Sequence, residues 1–266
     1  MPTFRELHKP GDPFILANAW DVGSAKMLAA MGAQALATSS AAYAFTLGVP
    51  DGGQVSMDAH LAHAQDLVAA TDLPVSGDME DGYGPSPEDC EDCVRLSAEA
   101  GLAGICIEDT IGASAKYYDF DLAVERVRAA SAAARALADD FFFVARADGV
   151  MTGGYYIEEA LRRVKAFDAA GADGIYVPLP KSFDDLKRIV AATDKPVNVL
   201  AAGPYAKFSR ADYAKAGLAR ISLGSALARV THRAIHDAAQ AMFGEGDFGP
   251  LTQALPGSVV DPMLGE

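Results

Sequence analysis

Eight times along this 266-residue chain a short β-rich run gives way to a longer, alanine-rich amphipathic segment, and no other feature constrains the fold as tightly. Strands are expected at Phe14–Trp20, Ala35–Ser40, Pro74–Glu80, Gly104–Thr110, Phe141–Asp148, Gly174–Pro180, Pro196–Ala202 and Ala219–Ser225. Several are unbroken apolar runs, Phe141-Phe142-Phe143-Val144-Ala145 most plainly, as a parallel strand covered on both faces requires. Ala100-Gly101-Leu102, Ala170-Gly171-Ala172 and Ala216-Gly217-Leu218 each place Gly where a left-handed cap releases a helix into the next strand. Thr71-Asp72-Leu73-Pro74-Val75 recurs as Thr193-Asp194-Lys195-Pro196-Val197, which sets the third and seventh strands four units apart. Eight such units within one domain's length predict an α/β fold, a closed (β/α)8 TIM barrel rather than an open doubly wound sheet. Asn18-Ala19-Trp20-Asp21-Val22-Gly23 after the first strand is not a Gly-rich dinucleotide fingerprint. Residues 1–246 are assigned to this single domain, and 247–266 to a C-terminal tail packed on the barrel or on a neighbouring subunit.

Acids outnumber Lys and Arg by 36 to 22, so the chain lacks the basic footprint that nucleic acid or an anionic membrane would demand. Half of the residues are hydrophobic, enough for a sizeable core, yet no apolar run approaches a membrane span and Met1 to Pro10 carry no signal-peptide core. Three cysteines cannot build a disulfide framework. The expectation is a soluble cytoplasmic protein acting on a small molecule, with neither nucleic acid nor membrane as partner.

In a barrel of this kind, chemistry collects where strands end. Strand three runs Val75-Ser76-Gly77-Asp78-Met79-Glu80-Asp81-Gly82-Tyr83-Gly84, and an extended chain would project Asp78 and Glu80 from one face. Two carboxylates that close need a cation or a shared proton, and an all-oxygen pair suits Mg2+, with Mn2+ as a substitute. The plainer reading leaves them as solvated turn acids. Glu108 and Asp109 end strand four, Arg146 and Asp148 strand five; Asn198 lies in strand seven and Ser222 to Ser225 end strand eight. Acids beside a guanidinium are what a hard dication and a carboxylate- or phosphate-bearing substrate would need together. The competing assignment makes Arg146 an internal counter-ion to Glu108.

Asn18-Ala19-Trp20-Asp21, Gly48-Val49-Pro50-Asp51, Gly77-Asp78-Met79-Glu80-Asp81-Gly82-Tyr83-Gly84, Gly104-Ile105-Cys106-Ile107-Glu108-Asp109 and Val144-Ala145-Arg146 follow one another over roughly residues 10 to 230. In order and spacing they resemble the isocitrate lyase/phosphoenolpyruvate mutase superfamily. The resemblance implies a magnesium ion held largely through water, and a last helix often exchanged between subunits of a homodimer or homotetramer. It also implies metal-sphere roles for Asp78, Glu80 and Glu108, with Asp51 a further catalytic acid beside the ion. Ser39, Ser40 and Ala41 would hold a 2-oxo-acid carboxylate, with Trp20 and Asn198 also in the substrate pocket, and Arg146 would steady substrate and developing charge. Tyr43 and Lys116 are the foremost acid–base candidates, ahead of Tyr117 and Tyr118.

Departures narrow the chemistry. The Lys-Lys-Cys-Gly-His loop of isocitrate and methylisocitrate lyases is replaced by Thr110-Ile111-Gly112-Ala113-Ser114-Ala115-Lys116-Tyr117-Tyr118, without Cys or His. The mutases' lid Asn is missing from Ile111–Phe120, Pro178 stands where they carry a His, and Glu80 replaces the more usual Asp. The expected activity is Mg2+-dependent cleavage of a C–C bond in a small 2-oxo or 2-hydroxy dicarboxylate, oxaloacetate- or alkylmalate-like, through an enolate. One alternative is a phosphonate enzyme binding phosphate at Ser222-Leu223-Gly224-Ser225-Ala226. Another is a non-catalytic 2-oxo-acid-binding barrel. Small residues at Gly112–Ala115 suit a closing lid. Cys90 and Cys93 lack a second ligand pair for zinc, and His60, His63, His232 and His236 are expected on the surface of outer helices.

Overall fold

The computed structural model describes residues 2–112, 114 and 116–265. Eight parallel strands pair in chain order: β1 (Phe14–Asn18), β2 (Ala35–Ala37), β3 (Val75–Asp78), β4 (Gly104–Glu108), β5 (Phe142–Arg146), β6 (Gly174–Tyr176), β7 (Val197–Leu200) and β8 (Arg220–Ser222). β8 returns to pair with β1, so the barrel is closed, as the eight-fold alternation required. The helices are α1 (Val22–Ala30), α2 (Ser40–Thr46), α3 (Met57–Ala69), α4 (Pro87–Glu99), α5 (Phe120–Ala136) and α6 (Gly149–Thr152). They continue as α7 (Ile157–Ala169), α8 (Phe183–Val190), α9 (Arg210–Lys215), α10 (Ala226–Gly244) and α11 (Gly257–Leu264). Serine starts several of them by accepting a backbone N–H: Ser56 for α3, Ser86 for α4, Ser182 for α8 and Ser209 for α9. Each such cap contributes about 1 kcal/mol.

The strands are shorter than expected because their C-terminal extensions bend into the loops of the mouth. Ser39 is not a strand residue; its hydroxyl caps α2 by accepting the Ala42 N–H. Both α2 and α6, which hydrophobic period did not reveal, lie directly after a strand end and so shape the mouth.

Period-two alternation divides each strand between two cores. Phe143 and Ala145 face the helix layer, whereas Phe142 and Val144 face the barrel axis with Leu16, Ala37, Cys106 and Tyr176. Below, Phe4 and His8 from the N-terminal segment plug the barrel against Phe14 and Phe142. The His8 ring stacks on Phe142 at 3.8 Å, and burial pushes its pKa down to about 3, so the imidazole is neutral.

His60 and His63 depart from expectation: both are buried, because α3 turns His60, His63, Ala64 and Leu67 inward rather than the stripe through Leu61 and Val68. His63 stacks on Tyr43 at 3.9 Å, and His60 Nδ1 meets the Tyr83 hydroxyl. Burial lowers both, His63 to about 4. His232 and His236 are exposed on α10. That helix has a single buried residue, Ala228, and presents Val230, Ile235 and Phe243 outward, the last 87% exposed. α11 lies against α1, where Lys26 Nζ donates to the Leu264 carbonyl at 2.9 Å. Among the described residues no helix is long and apolar enough to cross a membrane.

Candidate active site

Asp78 closes β3 beneath the start of α2. Its Oδ2 accepts the Ser40 N–H at 3.1 Å and the Ser40 hydroxyl at 2.8 Å, and its Oδ1 accepts from Arg146 Nη1 at 3.0 Å. Burial alone would raise the Asp78 pKa, but Arg146 and the two Ser40 bonds hold it below the usual carboxylate range. Arg146 closes β5 and gathers three acids: Asp78, Glu108 at 3.0 Å, and Asp148 through a fork at 2.8 and 2.6 Å. It is thus the counter-ion of Glu108, and of two further carboxylates as well.

Glu80 is not placed as strand alternation suggested. β3 stops at Asp78, and Glu80 takes a left-handed backbone with φ 45°, strained for a side chain by roughly 1–2 kcal/mol. Its Oε2 accepts the Gly53 N–H at 3.0 Å, so it faces the loop bearing Asp51 rather than sharing a strand face with Asp78. Buried Arg126 holds this bend by donating to the carbonyls of Asp81 and Gly84.

These acids are short of positive charge. Burial, followed by repulsion from neighbouring acids, pushes Glu80 up to about 7 and raises Asp51. Glu108 is raised well above its ordinary value by burial, against the pull of Arg146. Asp78, Glu108 and Asp148 thus share one guanidinium, and Asp51 and Glu80 border the cavity it lines. Among the described residues no three His, Cys, Asp or Glu side chains converge closely enough to chelate an ion outright. An oxygen-only donor set with surplus negative charge fits a hard dication held partly through water.

Two adjoining cavities occupy the mouth. The inner, about 150 Å3, descends from Ser39, Ser40, Ala41, Asp51, Asp78 and Arg146 along the barrel axis to Ser222 and Arg220. The outer, about 200 Å3, shares Ser40, Asp51 and Arg146 and adds Glu80, Glu108 and Thr110. Four expected site residues line neither. Trp20 sits in the β1–α1 turn with its amide on Ser24 Oγ, and Tyr43 is stacked on His63. Lys116 is exposed, and Asn198 is buried between Ser222 and Arg220. Of the expected lid, Ala113 and Ala115 lie outside the described residues; on either side, Gly112 N–H and the Tyr118 hydroxyl both donate to Asp81 Oδ2 at 3.1 Å. Tyr117 is exposed.

Asn18, Tyr176, Met151 and Arg220 line the inner cavity without having been assigned to the site from the sequence, although Asn18 opens the Asn18-Ala19-Trp20-Asp21 motif. Strand parity could have found Arg220, two residues before Ser222 and on the same face. Asn18 Oδ1 accepts the N–H groups of Leu223 and Gly224 at 2.8 and 2.9 Å, so the amides proposed for phosphate already have an acceptor. Asp109, at the mouth in sequence, is turned away into a buried network instead: its carboxylate accepts from Arg163, Tyr155 and the Asp148 N–H.

The chain belongs to the phosphoenolpyruvate phosphomutase family, within the isocitrate lyase/PEP mutase superfamily, since the family model matches residues 4–243. It is 39% identical to a Burkholderia cenocepacia J2315 protein provisionally described as a lyase/mutase, whose crystal structure superimposes with a TM-score of 0.94 over 99% of this chain and 95% of that one. An uncharacterised Mycobacterium tuberculosis protein is 36% identical over 84% of this chain and 82% of its own length. The oxaloacetate decarboxylase of Paraburkholderia xenovorans is 30% identical over 98% of this chain and 86% of its own.

Proposed function

We propose that the chain is a Mg2+-dependent carbon–carbon lyase that cleaves a small 2-oxo or 2-hydroxy dicarboxylate through an enolate, with oxaloacetate the foremost substrate. The observation that carries this is the acidic mouth: Asp78, Glu108 and Asp148 share the Arg146 guanidinium, and Asp51 and Glu80 border the cavity it lines. Asp78, Glu80 and Glu108, with Asp51 beside them, would hold Mg2+ or Mn2+, which when bound supplies Lewis acidity toward the 2-oxo and carboxylate oxygens. Arg146, seconded by Ser40, holds the Asp78 pKa down, Ser40 orients it, and Ser39 and Ala41 border the same cavity. Arg146 stabilises the negative charge that grows on the enolate oxygen, while its Asp148 fork prevents it from swinging away.

The positions of Tyr43 and Lys116 bear on the substrate. Neither borders the mouth, so neither is set to take a proton from a substrate hydroxyl. Decarboxylation of oxaloacetate needs an electron sink and no side-chain base, whereas a 2-hydroxy acid must first lose its hydroxyl proton. The oxaloacetate decarboxylase relative puts oxaloacetate ahead of alkylmalates. The Leu223 and Gly224 amides are bonded to Asn18, which weighs against the phosphonate alternative. The uncovered apolar face of α10 supports assembly as a homodimer or homotetramer, and a cytoplasmic placement belongs to the same reading.

Pyruvate release from oxaloacetate above the protein-free rate is the test. EDTA is expected to lower it about 100-fold or more, with Mg2+ restoring it. Turnover indifferent to EDTA contradicts the proposal, and binding without turnover would mark a non-catalytic barrel.

A further inference from the structure

Among the described residues the outer cavity is walled by polar side chains and glycine, with one exception, Met151 on α6. Ser40, Asp51, Arg146 and Met151 border both cavities, and Met151 alone of these is apolar. It is 40% exposed, so its thioether belongs to no core and faces whatever fills the mouth.

The turn that carries Met151 is pinned from beneath. Asp109 accepts the Asp148 N–H at 2.8 Å and the Tyr155 hydroxyl at 2.6 Å, so residues on both sides of α6 share one buried carboxylate. The Tyr155 N–H returns to the Gly149 carbonyl at 3.2 Å, and its ring lies so near Gly149 that a Cβ there would not fit. Gly153, with φ 77°, ends the helix and turns the chain back toward Tyr155. The backbone therefore fixes where Met151 is presented, while its unbranched side chain adapts to the shape it meets. Carboxylate and 2-oxo oxygens have charged and hydrogen-bonding partners in this mouth. The carbon between them, C3, is the part of such a molecule that an apolar side chain can contact.

We infer that Met151 is a specificity-determining residue that packs against C3 of the substrate and accommodates an alkyl group on that carbon. That the ligand is a 2-oxo acid rests on the lyase reading. The substrate class then extends from oxaloacetate to its 3-alkyl homologues. 3-Methyloxaloacetate would lose its C4 carboxylate as CO2, leave the bonding pair in the enolate, take a proton at C3 and depart as 2-oxobutyrate.

Pyruvate and 2-oxobutyrate, which differ by one methylene on C3, are the probes. Titrated calorimetrically in Mg2+ buffer, the native chain is expected to prefer 2-oxobutyrate roughly fourfold, the gain from one buried methylene. Met151→Gln, of similar length but polar, should abolish that preference, and Met151→Leu should keep it. A native crystal soaked in 2-oxobutyrate should place the terminal methyl within about 4.5 Å of the Met151 side chain, which decides the matter even if Met151→Gln does not fold. A native chain that binds neither probe, binds both equally or prefers pyruvate would overturn the inference. So would a preference that survives Met151→Gln, or a methyl seated away from Met151. If the Met151-dependent preference holds while no dicarboxylate is cleaved, the lyase reading fails and the contact stands; cleavage with an unmoved preference sinks the contact alone.

Discussion

Arg146→Ala is expected to lower kcat/KM for oxaloacetate by roughly a thousandfold and to cost the fold about 3–5 kcal/mol at neutral pH. Both losses have one source. Asp78, Glu108 and Asp148 are held within 3.0 Å of this guanidinium, and its removal leaves one buried and two partly buried carboxylates without that counter-charge. Their pKa values then rise in the folded state only, so the variant binds more protons folded than unfolded at mildly acidic pH. Its stability must therefore increase as pH falls from 7 toward 4.5, narrowing the gap to the native chain. Urea midpoints at the two pH values check the sign. Arg146→Lys retains the charge but cannot fork Asp148 while reaching Asp78, so it should recover more stability than activity. Near-native kinetics in Arg146→Ala would remove it from the site.

Asp109→Ala should destabilise the fold by a similar 3–5 kcal/mol, although the Asp109 side chain borders neither mouth cavity. Arg163 on α7 is 1% exposed and donates to Asp109 at 2.9 Å, to Glu159 at 2.9 Å and to the Tyr118 carbonyl at 2.9 Å. Tyr155 donates to the same carboxylate at 2.6 Å, and the Asp148 N–H at 2.8 Å. Truncation leaves a phenol and an amide without their acceptor and takes from the buried Arg163 guanidinium one of its two carboxylates. Because Asp148 carries the Arg146 fork, turnover should fall with stability, and Asp109→Asn, which keeps an acceptor, should lose less of each. Chemical denaturation and oxaloacetate turnover measured on the same samples would reveal whether the two losses travel together. A midpoint unchanged in Asp109→Ala would show that the network does not hold the mouth.

The topology was legible because eight apolar runs alternate with helices, several of them ended by Gly, and a closed barrel buries every strand. Asp78 and Arg146 were legible as well, since a strand-terminal residue has its direction fixed by parity. What escaped was set by backbone that leaves the strand. Glu80 turns at φ 45° to Gly53, which alternation cannot anticipate. His60 and His63 look like surface residues in a helical wheel, yet their partners Tyr43 and Tyr83 come from other elements, so burial follows from tertiary packing. Asn198 was assigned to the substrate on its strand position, whereas it holds Arg220, one strand further on. Asp109 and Glu108 are adjacent in the chain and point to opposite layers, the commonest consequence of a two-residue period and the easiest to overlook in a pair of acids.

Collecting anomalous diffraction from crystals grown with Mn2+ and oxalate would test the metal assignment most directly. A single Mn2+ peak at coordinating or water-bridged distance from Asp78, Glu80 and Glu108, with oxalate between it and Arg146, is the expected result. Oxalate bound with no Mn2+ among those three acids would contradict it.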